Sequence, residues 1–306
     1  MERLYFIVNP TAGADRAGDA FCEVRAMLDE MNMDYSFDYT QYKGHATELA
    51  VDAVKRGEKY IVSVGGDGTL NEVAQGLVNT DSVLGVLPFG TGNDLAKALK
   101  IPTDPREALT ILLLESPKAM DVGIANDRMF FNVSGFGFDV DVLIATEKYK
   151  KRFRGMVPYL LGIAHSLTHL RTLHLTIKDD GRVWDREALI IAVGIGTHFG
   201  GGMNVLPMSD PFDGLFDVCI VKKLGILKFI RLLPLFIKGK HAGLKEVEYF
   251  RTDHLEVSCP EHSLINYDGE LSSDTPALVI NIIKCFWHFS IQFCSIYFVS
   301  KIVINN

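Results

Sequence analysis

The sequence of 306 residues lacks the features that mark several large classes of protein. Its five cysteines never stand in a C-x-x-C pair, so neither a zinc cage nor a disulfide framework is indicated. The formal net charge is −7, which argues against a nucleic-acid binder, because affinity for a phosphate backbone needs an excess of Lys and Arg. The segment Met1 to Val8 is too short and too β-like for a signal peptide, so we expect a cytoplasmic protein.

Two nucleotide-binding motifs and a clear membrane span are also missing. The chain has no G-x-x-x-x-G-K-[ST] loop and no G-x-G-x-x-G after its first apolar run, so neither a P-loop enzyme nor a dinucleotide dehydrogenase is indicated. Residues 285–306 are rich in aromatic and β-branched side chains, but polar residues interrupt them. They form an atypical apolar tail and a weak candidate for a spanning helix.

What is present indicates two folded domains. Residues 1–122 alternate apolar runs with amphipathic stretches, which predicts an α/β domain with a Rossmann-like parallel sheet that binds a nucleotide. The strands predicted there are Leu4–Val8, Tyr35–Tyr39, Tyr60–Val64 and Leu84–Pro88, and the helices are Ala17–Met31, His45–Arg56 and Arg106–Glu115.

Residues 123–284 show strands at regular intervals instead, which predicts a mostly antiparallel β-sandwich domain. The strands predicted there are Met129–Val133, Leu173–Ile177, Ala188–Gly194, Leu215–Val221, Val247–Phe250, His254–Ser258, Leu264–Tyr267 and Ala277–Ile283. We interpret residues 134–139 as the exit of a strand near the cleft between the two domains.

Three glycine-containing turns follow strands of the first domain, at residues 9–13, 65–69 and 90–94. Glycine lets backbone N–H groups approach phosphate oxygens, and the helix that follows such a turn adds a favourable dipole. Asp67 stands inside the second turn, where its carboxylate would repel a phosphate unless a divalent cation lay between them. The turns therefore indicate a site for Mg-ATP.

These turns also carry a resemblance. Gly65-Gly66-Asp67-Gly68-Thr69 with Leu70-Asn71-Glu72, Asn9-Pro10-x-x-Gly13, Gly90-Thr91-Gly92-Asn93-Asp94 and Asp268-Gly269-Glu270 together resemble the diacylglycerol kinase family of soluble lipid kinases, of the bacterial type and related to sphingosine kinases. The resemblance implies a first domain like those of NAD kinases and diacylglycerol kinases. It also implies an enzyme that transfers the γ-phosphate of Mg-ATP to a hydroxyl of diacylglycerol or a related lipid.

The resemblance assigns residues to this chemistry. It implies that the residues around ATP are Asn9, Pro10, Thr11, Ala12, Gly13, Thr40, Gly65, Gly66, Asp67, Gly68, Thr69, Leu70, Asn71, Thr91 and Asn93. It implies a magnesium and water network on Asp67, Asp94 and Asp121, which gives Asp67 a catalytic part. Asp268 and Glu270 are the candidates to accept the proton of the lipid hydroxyl, and we prefer Glu270.

The resemblance further implies a second, structural metal site in the loop of residues 210–217. Asp213 would bind the ion by its side chain, and Asp210 and Leu215 mainly by their backbone carbonyls. The alternative is a solvated turn without a metal ion, since Asp-Pro and Asp-Gly pairs are common in turns.

Other functions and partners remain open at this point. A NAD kinase shares the glycine-aspartate turn, and a nucleotide-responsive lipid-binding protein without catalysis is a third reading. Basic residues around the apolar run 226–237 suggest peripheral contact with an anionic membrane at the inner face of the plasma membrane, although a solvated helix face has the same pattern. An exposed sheet edge could support a homodimer.

Overall fold

The structure of the chain is a computed structural model. It describes residues 3–150, 152–153, 157–260 and 264–272 in full, and the backbone of residues 277–285. The predicted apolar tail lies outside these residues beyond position 285.

The first domain is a parallel sheet covered by helices on both faces. Its strands are β1 (Leu4–Val8), β2 (Tyr35–Tyr39), β3 (Tyr60–Gly65) and β4 (Val83–Pro88). Its helices are α1 (Arg16–Glu30), α2 (His45–Lys55), α3 (Asp67–Leu77), α4 (Asp94–Ala98) and α5 (Pro105–Leu114). The strand order is β2-β1-β3-β4 with parallel neighbours throughout, which confirms the predicted architecture.

The central strand β1 shows why both faces need helices, since all five of its residues are buried. Successive side chains of a strand point to opposite faces. Phe6 packs in one core with α1 and α5, whereas Tyr5 and Ile7 pack in the other with α2 and α3. A strand that is apolar at every position is typical of a parallel sheet covered in this way. All carboxyl ends then meet at one edge, where the three glycine-containing turns lie.

The second domain is mostly antiparallel, as predicted. Its strands are β5 (Met120–Ala125), β6 (Arg128–Phe130), β7 (Val133–Gly137), β8 (Leu173–Asp179), β9 (Arg182–Gly194), β10 (Phe216–Lys222), β11 (Val247–Thr252), β12 (His254–Ser258), β13 (Ile265–Tyr267), β14 (Glu270–Ser272) and β15 (Ala277–Cys285). The order is β14-β13-β7-β9-β8-β12-β15-β5-β6, and β10 joins β9 to β11.

Strand β9 connects the two parts of this sheet. Its second half pairs with β7 along one edge and with β10 along the other, while its first half pairs with β8. Three helices are attached to the sheet, namely α6 (Phe138–Lys150), α7 (Val157–Ser166) and α8 (Ile226–Ile237). They enclose a separate apolar core with residues of β9 and β10. No helix among the described residues is long and apolar enough to cross a bilayer.

One predicted strand is wrong. Met129–Val133 is not continuous, because β6 ends at Phe130 and β7 begins at Val133. The backbone N–H groups of Phe131, Asn132 and Val133 turn away from the sheet and donate to the carboxylate of Asp268. A tertiary contact thus interrupts a segment that the sequence pattern predicts as one strand. Residues 134–139 are correspondingly not a strand exit, since they form β7 and the first turn of α6.

Candidate active site

A cavity lies where the edge of the first sheet meets the second domain. The first domain contributes Asp67, Leu70, Asn71, Asp94 and Leu95. The second contributes Phe131, Asn132, Val133, Leu143, Tyr159, Phe199, Gly200, Asp268 and Gly269. The turns at residues 65–69 and 90–94 and the start of the Asp-Gly-Glu turn therefore line one cleft, although they are far apart in sequence.

The turn after β1 is held by the side chain of Asn9. Its Oδ1 accepts hydrogen bonds from the backbone N and the Oγ1 of Thr11, at 3.2 and 3.0 Å, and its Nδ2 donates to Oγ1 of Thr69 at 3.1 Å. Gly13 has a φ of +62°, and a Cβ there would lie 2.3 Å from the carbonyl oxygen of Phe89. Glycine is thus required at this position both by the backbone conformation and by the close contact.

The turns after β3 and β4 touch each other. A Cβ on Gly90 would lie 2.2 Å from Cα of Gly66, so no larger residue fits there. Asn93 adopts a left-handed conformation with φ +51°. Its Oδ1 accepts from N of Gly90 at 3.0 Å, and its Nδ2 donates to the carbonyl of Pro88 at 2.8 Å. The Asn93 side chain therefore organises its own turn, and any contact with a nucleotide would have to come from its backbone.

Asp67 and Asp94 form the acidic pair of the cleft. Oδ1 of Asp67 accepts hydrogen bonds from N of Asp94 at 2.6 Å and N of Leu95 at 3.3 Å, and so caps the start of α4. Burial and the nearby Asp94 carboxylate raise the pKa of Asp67 to about 6, against the lowering effect of these hydrogen bonds. Nζ of Lys97 contacts Asp94 at 3.1 Å. One lysine beside two carboxylates leaves negative charge that a cation can offset.

Gly201 and Tyr159 of the second domain lie close to this acidic pair. Oδ2 of Asp94 accepts a hydrogen bond from N of Gly201 at 2.9 Å, which links α4 to the turn after β9. Tyr159 of α7 lines the same cavity. Burial, followed by the charges of Asp94 and Asp67, raises the pKa of its hydroxyl to about 12, so the hydroxyl keeps its proton and can donate a hydrogen bond.

Asp268 is the anchor of the Asp-Gly-Glu turn. It has a left-handed backbone with φ +52°, and its two oxygens accept from N of Phe131, Asn132 and Val133 at 2.7 to 3.0 Å. Oδ2 also accepts from Nδ2 of Asn71 at 2.8 Å, which ties the turn to α3. Burial raises the pKa of Asp268 to about 6, while the backbone donors favour the ionised form. With four donors on one carboxylate, no lone pair is left in a good position to take a substrate proton.

Glu270 follows two residues later and is free of such constraints. It is exposed, and Nζ of Lys43 from the first domain contacts its Oε1 at 2.6 Å. The geometry therefore favours Glu270 over Asp268 as the proton acceptor, in line with the preference from sequence. The assignment of either residue to that role stays a prediction.

The other residues predicted around ATP lie along the same sheet edge. N of Thr40 donates to the carbonyl of Val8 at 2.8 Å, which places Thr40 next to the Asn9 turn. Thr11, Gly68 and Thr91 are exposed, and Thr91 lines a second opening with Asp67, Asp94 and Lys150. The remaining residues of this set are Pro10, Ala12 and Gly66, which are partly buried, and Gly65, Thr69 and Leu70, which are buried.

Asp121 lies in β5 of the second sheet and contacts the loop of residues 210–217. Its N donates to the carbonyl of Pro211 at 2.9 Å, and its Oδ2 accepts from N of Gly214 at 2.6 Å. A magnesium and water network that Asp121 shares with Asp67 and Asp94 stays a prediction. The pairing of β5 with β15 and β6, which sequence does not reveal, decides this position.

An arginine contacts two carboxylates of the loop of residues 210–217. Arg251 contacts the Asp213 carboxylate directly and Oδ2 of Asp217 at 3.3 Å. Oδ1 of Asp210 accepts from N of Phe212, and Oδ1 of Asp213 accepts from N of Leu215. Within the described ranges, no three or more His, Cys, Asp or Glu side chains surround a point where a metal ion could sit. The structural metal ion of this loop therefore stays a prediction.

A cavity with an apolar exposed surface adjoins the cleft. Phe199 lines both cavities, so they meet at this side chain. Helix α8 contributes Phe229, Leu233 and Phe236 to the lining of the apolar cavity. Apolar linings of this kind are typical of sites for apolar ligand groups.

Sequence reasoning missed several residues of the site. Tyr159 comes from the second domain, and no motif marks it. Lys43 and Lys97 lie outside the helices and strands predicted with bounds for the first domain, and a lysine is usually a solvated surface residue. The charge of the neighbouring Asp94 and the i, i+3 spacing on α4 could have indicated Lys97.

Two family models match successive parts of the chain. Residues 3–125 match the model of the diacylglycerol kinase catalytic domain. Residues 132–286 match the model of the YegS C-terminal NAD kinase beta sandwich-like domain.

Individual relatives agree with these matches. The chain is 30% identical over 287 residues to a protein of Bacillus subtilis named diacylglycerol kinase, covering 93% of this chain and 95% of the relative. It is 29% identical to a diacylglycerol kinase of Staphylococcus carnosus, with 92% of each covered. A Bacillus anthracis crystal structure, whose name calls it a candidate diacylglycerol kinase, is 27% identical with a TM-score of 0.77, covering 94% of this chain and 96% of that one.

A more distant structure shares the fold alone. An NAD kinase from Archaeoglobus fulgidus in complex with ATP has a TM-score of 0.52 at 13% identity, covering 95% of this chain and 94% of that one. The two-domain arrangement is thus common to both kinds of kinase.

Proposed function

The chain belongs to the diacylglycerol kinase family, and on that premise we propose that it transfers the γ-phosphate of ATP to a hydroxyl of diacylglycerol or a related lipid alcohol. The relatives of similar length carry the name of that activity. At about 30% identity the acceptor can differ between family members, so the identity of the lipid is part of the proposal.

The observation that carries the proposal is the shared cleft. Carboxylates of the first domain, Asp67 and Asp94, and the Asp268 turn of the second domain line one cavity. Phosphoryl transfer needs little covalent help from protein; it needs charge neutralisation and an in-line arrangement of hydroxyl and phosphate. A cleft with acidic residues from both sides suits a reaction between a bound nucleotide and a second substrate.

Asp67 and Asp94 are the residues that would hold a magnesium ion. Burial and the charge of Asp94 raise the pKa of Asp67, and a cation would offset the repulsion between the two carboxylates. Mg²⁺ usually binds through one or two carboxylates together with substrate phosphates. When bound, Mg²⁺ would neutralise charge that develops on the phosphate oxygens. The glycine-containing turns at residues 9–13, 65–69 and 90–94 would hold the phosphates through backbone N–H groups.

Glu270 would act on the acceptor. As the lipid oxygen bonds to the γ-phosphorus and the bond to ADP breaks, the proton of the hydroxyl would pass to the Glu270 carboxylate. Lys43 contacts that carboxylate and must release it first. Asp268 would act as a positioning residue, because its four hydrogen bonds fix the turn that carries Glu270.

The apolar cavity supports a lipid as the acceptor. It lies next to the cleft, and Phe199 borders both spaces. An acyl chain in this cavity would leave its headgroup hydroxyl at the polar cleft. A water-soluble acceptor such as NAD would gain nothing from it.

The test is a transfer assay with Mg-ATP labelled in the γ-phosphate and a panel of acceptors: diacylglycerol, sphingosine, phosphatidylglycerol, undecaprenol and NAD. We expect label in diacylglycerol or another lipid. We expect Glu270→Gln to lower kcat by about 10²-fold or more, because general-base catalysis contributes about that much. Glu107→Gln, at an exposed carboxylate on α5, is the matched control and should keep full activity.

Two outcomes would contradict the proposal. Label in NAD and in none of the lipids would favour an NAD kinase. Lipid binding without transfer to any acceptor would favour a nucleotide-responsive lipid-binding protein without catalysis.

A further inference from the structure

Helix α8 has two apolar faces with different surroundings. Phe229, Leu233 and Phe236 face inward and line the apolar cavity. On the outer side, Leu227 is 86% exposed and Ile230 is 50% exposed, with Ile226 beside them at 45%. Neighbouring large aliphatic side chains in contact with water are unfavourable unless something covers them.

The charge around this helix is unlike that of the rest of the chain. Residues 222–245 contain no Asp or Glu, although the whole chain has a net charge of −7. The basic residues of this segment are Lys222, Lys223, Lys228, Arg231, Lys238, Lys240 and Lys245. Two of them are neutralised, Lys223 by Glu187 and Lys228 by Glu246. Arg231, Lys238 and Lys240 are exposed at the side and end of the helix.

We propose that the outer face of α8 docks the protein on an anionic lipid bilayer. Ile226, Leu227 and Ile230 enter the boundary between headgroups and acyl chains, while Arg231, Lys238 and Lys240 contact lipid phosphates. A second copy of the chain is a poorer occupant, because pairing two such faces would bring their cations together. The proposal rests on the proposed function, since docking serves an acceptor that resides in the bilayer.

The position of α8 connects docking to the site. The helix whose outer face meets the bilayer also closes the apolar cavity with its inner face. A lipid that leaves the bilayer at α8 therefore has a short apolar path to Phe199 and the cleft.

Sedimentation of the full chain with lipid vesicles tests the proposal. We expect binding to vesicles of phosphatidylglycerol and phosphatidylcholine in equal parts, and much weaker binding to phosphatidylcholine alone. Leu227→Gln should lower the partition coefficient about tenfold, from the loss of one buried leucine. The triple variant R231Q/K238Q/K240Q should lower it by about tenfold to a hundredfold, and salt should weaken wild-type binding but change that variant less.

Val183→Gln is the matched control, because Val183 is an aliphatic residue on β9 with 62% exposure. Binding by L227Q equal to wild type, or an equal loss in V183Q, would overturn the proposal. So would a dimer in sedimentation velocity that L227Q converts to monomers, since the face would then bind a second copy.

Failure of docking can be separated from failure of the proposed function. With a short-chain diacylglycerol dispersed in detergent, L227Q should phosphorylate as fast as wild type, whereas with vesicles its rate should fall about tenfold. Equal rates on vesicles would refute docking and leave the kinase activity intact. Vesicle binding that depends on Leu227, with no transfer to any lipid, would refute the kinase activity and leave docking intact.

Discussion

The chain contains two groups of closely spaced carboxylates, and the protein supplies positive charge to them very differently. In the loop of residues 210–217, the guanidinium of Arg251 contacts both Asp213 and the fully buried Asp217. In the cleft, Asp94 contacts the half-exposed Lys97, and Asp67 has no ion pair among the described residues. Both groups are acidic, but Arg251 contacts two carboxylates of the loop, whereas Lys97 contacts only one of the pair in the cleft.

We use this difference in cationic partners to separate acidic residues proposed to bind a ligand from acidic residues that stabilise the fold. Burial raises the pKa of both Asp67 and Asp217 to about 6, so the pKa alone does not tell the two sites apart. The surroundings distinguish the two sites. Asp67 lies between glycine-containing turns and lines the cavity, whereas Asp217 contacts Arg251. Four experiments test this contrast.

The largest effect is expected from Asp67→Asn on activity. Loss of this carboxylate should lower kcat/KM by roughly 10²- to 10³-fold, since it removes preorganised charge at the reacting phosphate. Kinetics at saturating Mg²⁺ would measure the loss. Asp81→Asn, at an exposed carboxylate before β4, should be unaffected, and equal losses in both variants would contradict the contrast.

Removal of Arg251 tests whether the carboxylates in the loop of residues 210–217 stabilise the fold. We expect Arg251→Gln to lower the free energy of unfolding by about 1–3 kcal/mol, because the buried Asp217 loses its cationic partner. This range is reduced for the partial exposure of the arginine. Denaturant unfolding with and without Mg²⁺ measures this. Full rescue of R251Q by Mg²⁺ would show that the loop is also a cation site, and would break the contrast.

A smaller effect is expected on stability in the cleft. The pKa of Asp67 in the folded protein, about 6, lies above its usual value of 3.8. The contribution of Asp67 to the free energy of unfolding is therefore fully present below about pH 4 and is lost as the pH rises through about 6. At pH 7 without Mg²⁺, the free energy of unfolding of Asp67→Asn should exceed that of wild type by about 1–2 kcal/mol. The same difference in unfolding free energy between Asp67→Asn and wild type at pH 4 and at pH 7 would contradict the raised pKa.

The smallest effect concerns the ion pair between Lys43 and Glu270. Both side chains are exposed, so breaking the pair costs little, and Lys43→Gln should raise kcat about twofold to fivefold by freeing the carboxylate. Lys55→Gln breaks a comparable exposed pair with Asp52 and should leave kcat unchanged. A large loss of activity in K43Q would mean that Lys43 binds a substrate.

Much of the cleft could be predicted because its determinants are local. Asn9, Asp67 and Asp94 each follow a strand, and the carboxyl ends of parallel strands meet at one edge, so topology alone brings them together. The order β2-β1-β3-β4 follows from short apolar runs with helices between them.

The contacts that sequence does not reveal depend on the second domain. Asp121 contacts the loop of residues 210–217 because of the position of β5 in the second sheet. Tyr159 and Gly201 reach the cleft only through the docking of one domain on the other. The break between β6 and β7 arises from a carboxylate more than 130 positions away. No local pattern carries such information.

The hydrogen bond between Asn71 and Asp268 also has a consequence for how the protein is made. The two residues are 197 positions apart, so the contact closes a very long loop. During translation the parallel sheet can form as soon as its own residues emerge from the ribosome, since domains generally fold as units. The Asp-Gly-Glu turn, which completes the cleft, emerges much later. A growing chain therefore contains the glycine-containing turns long before the cleft is complete.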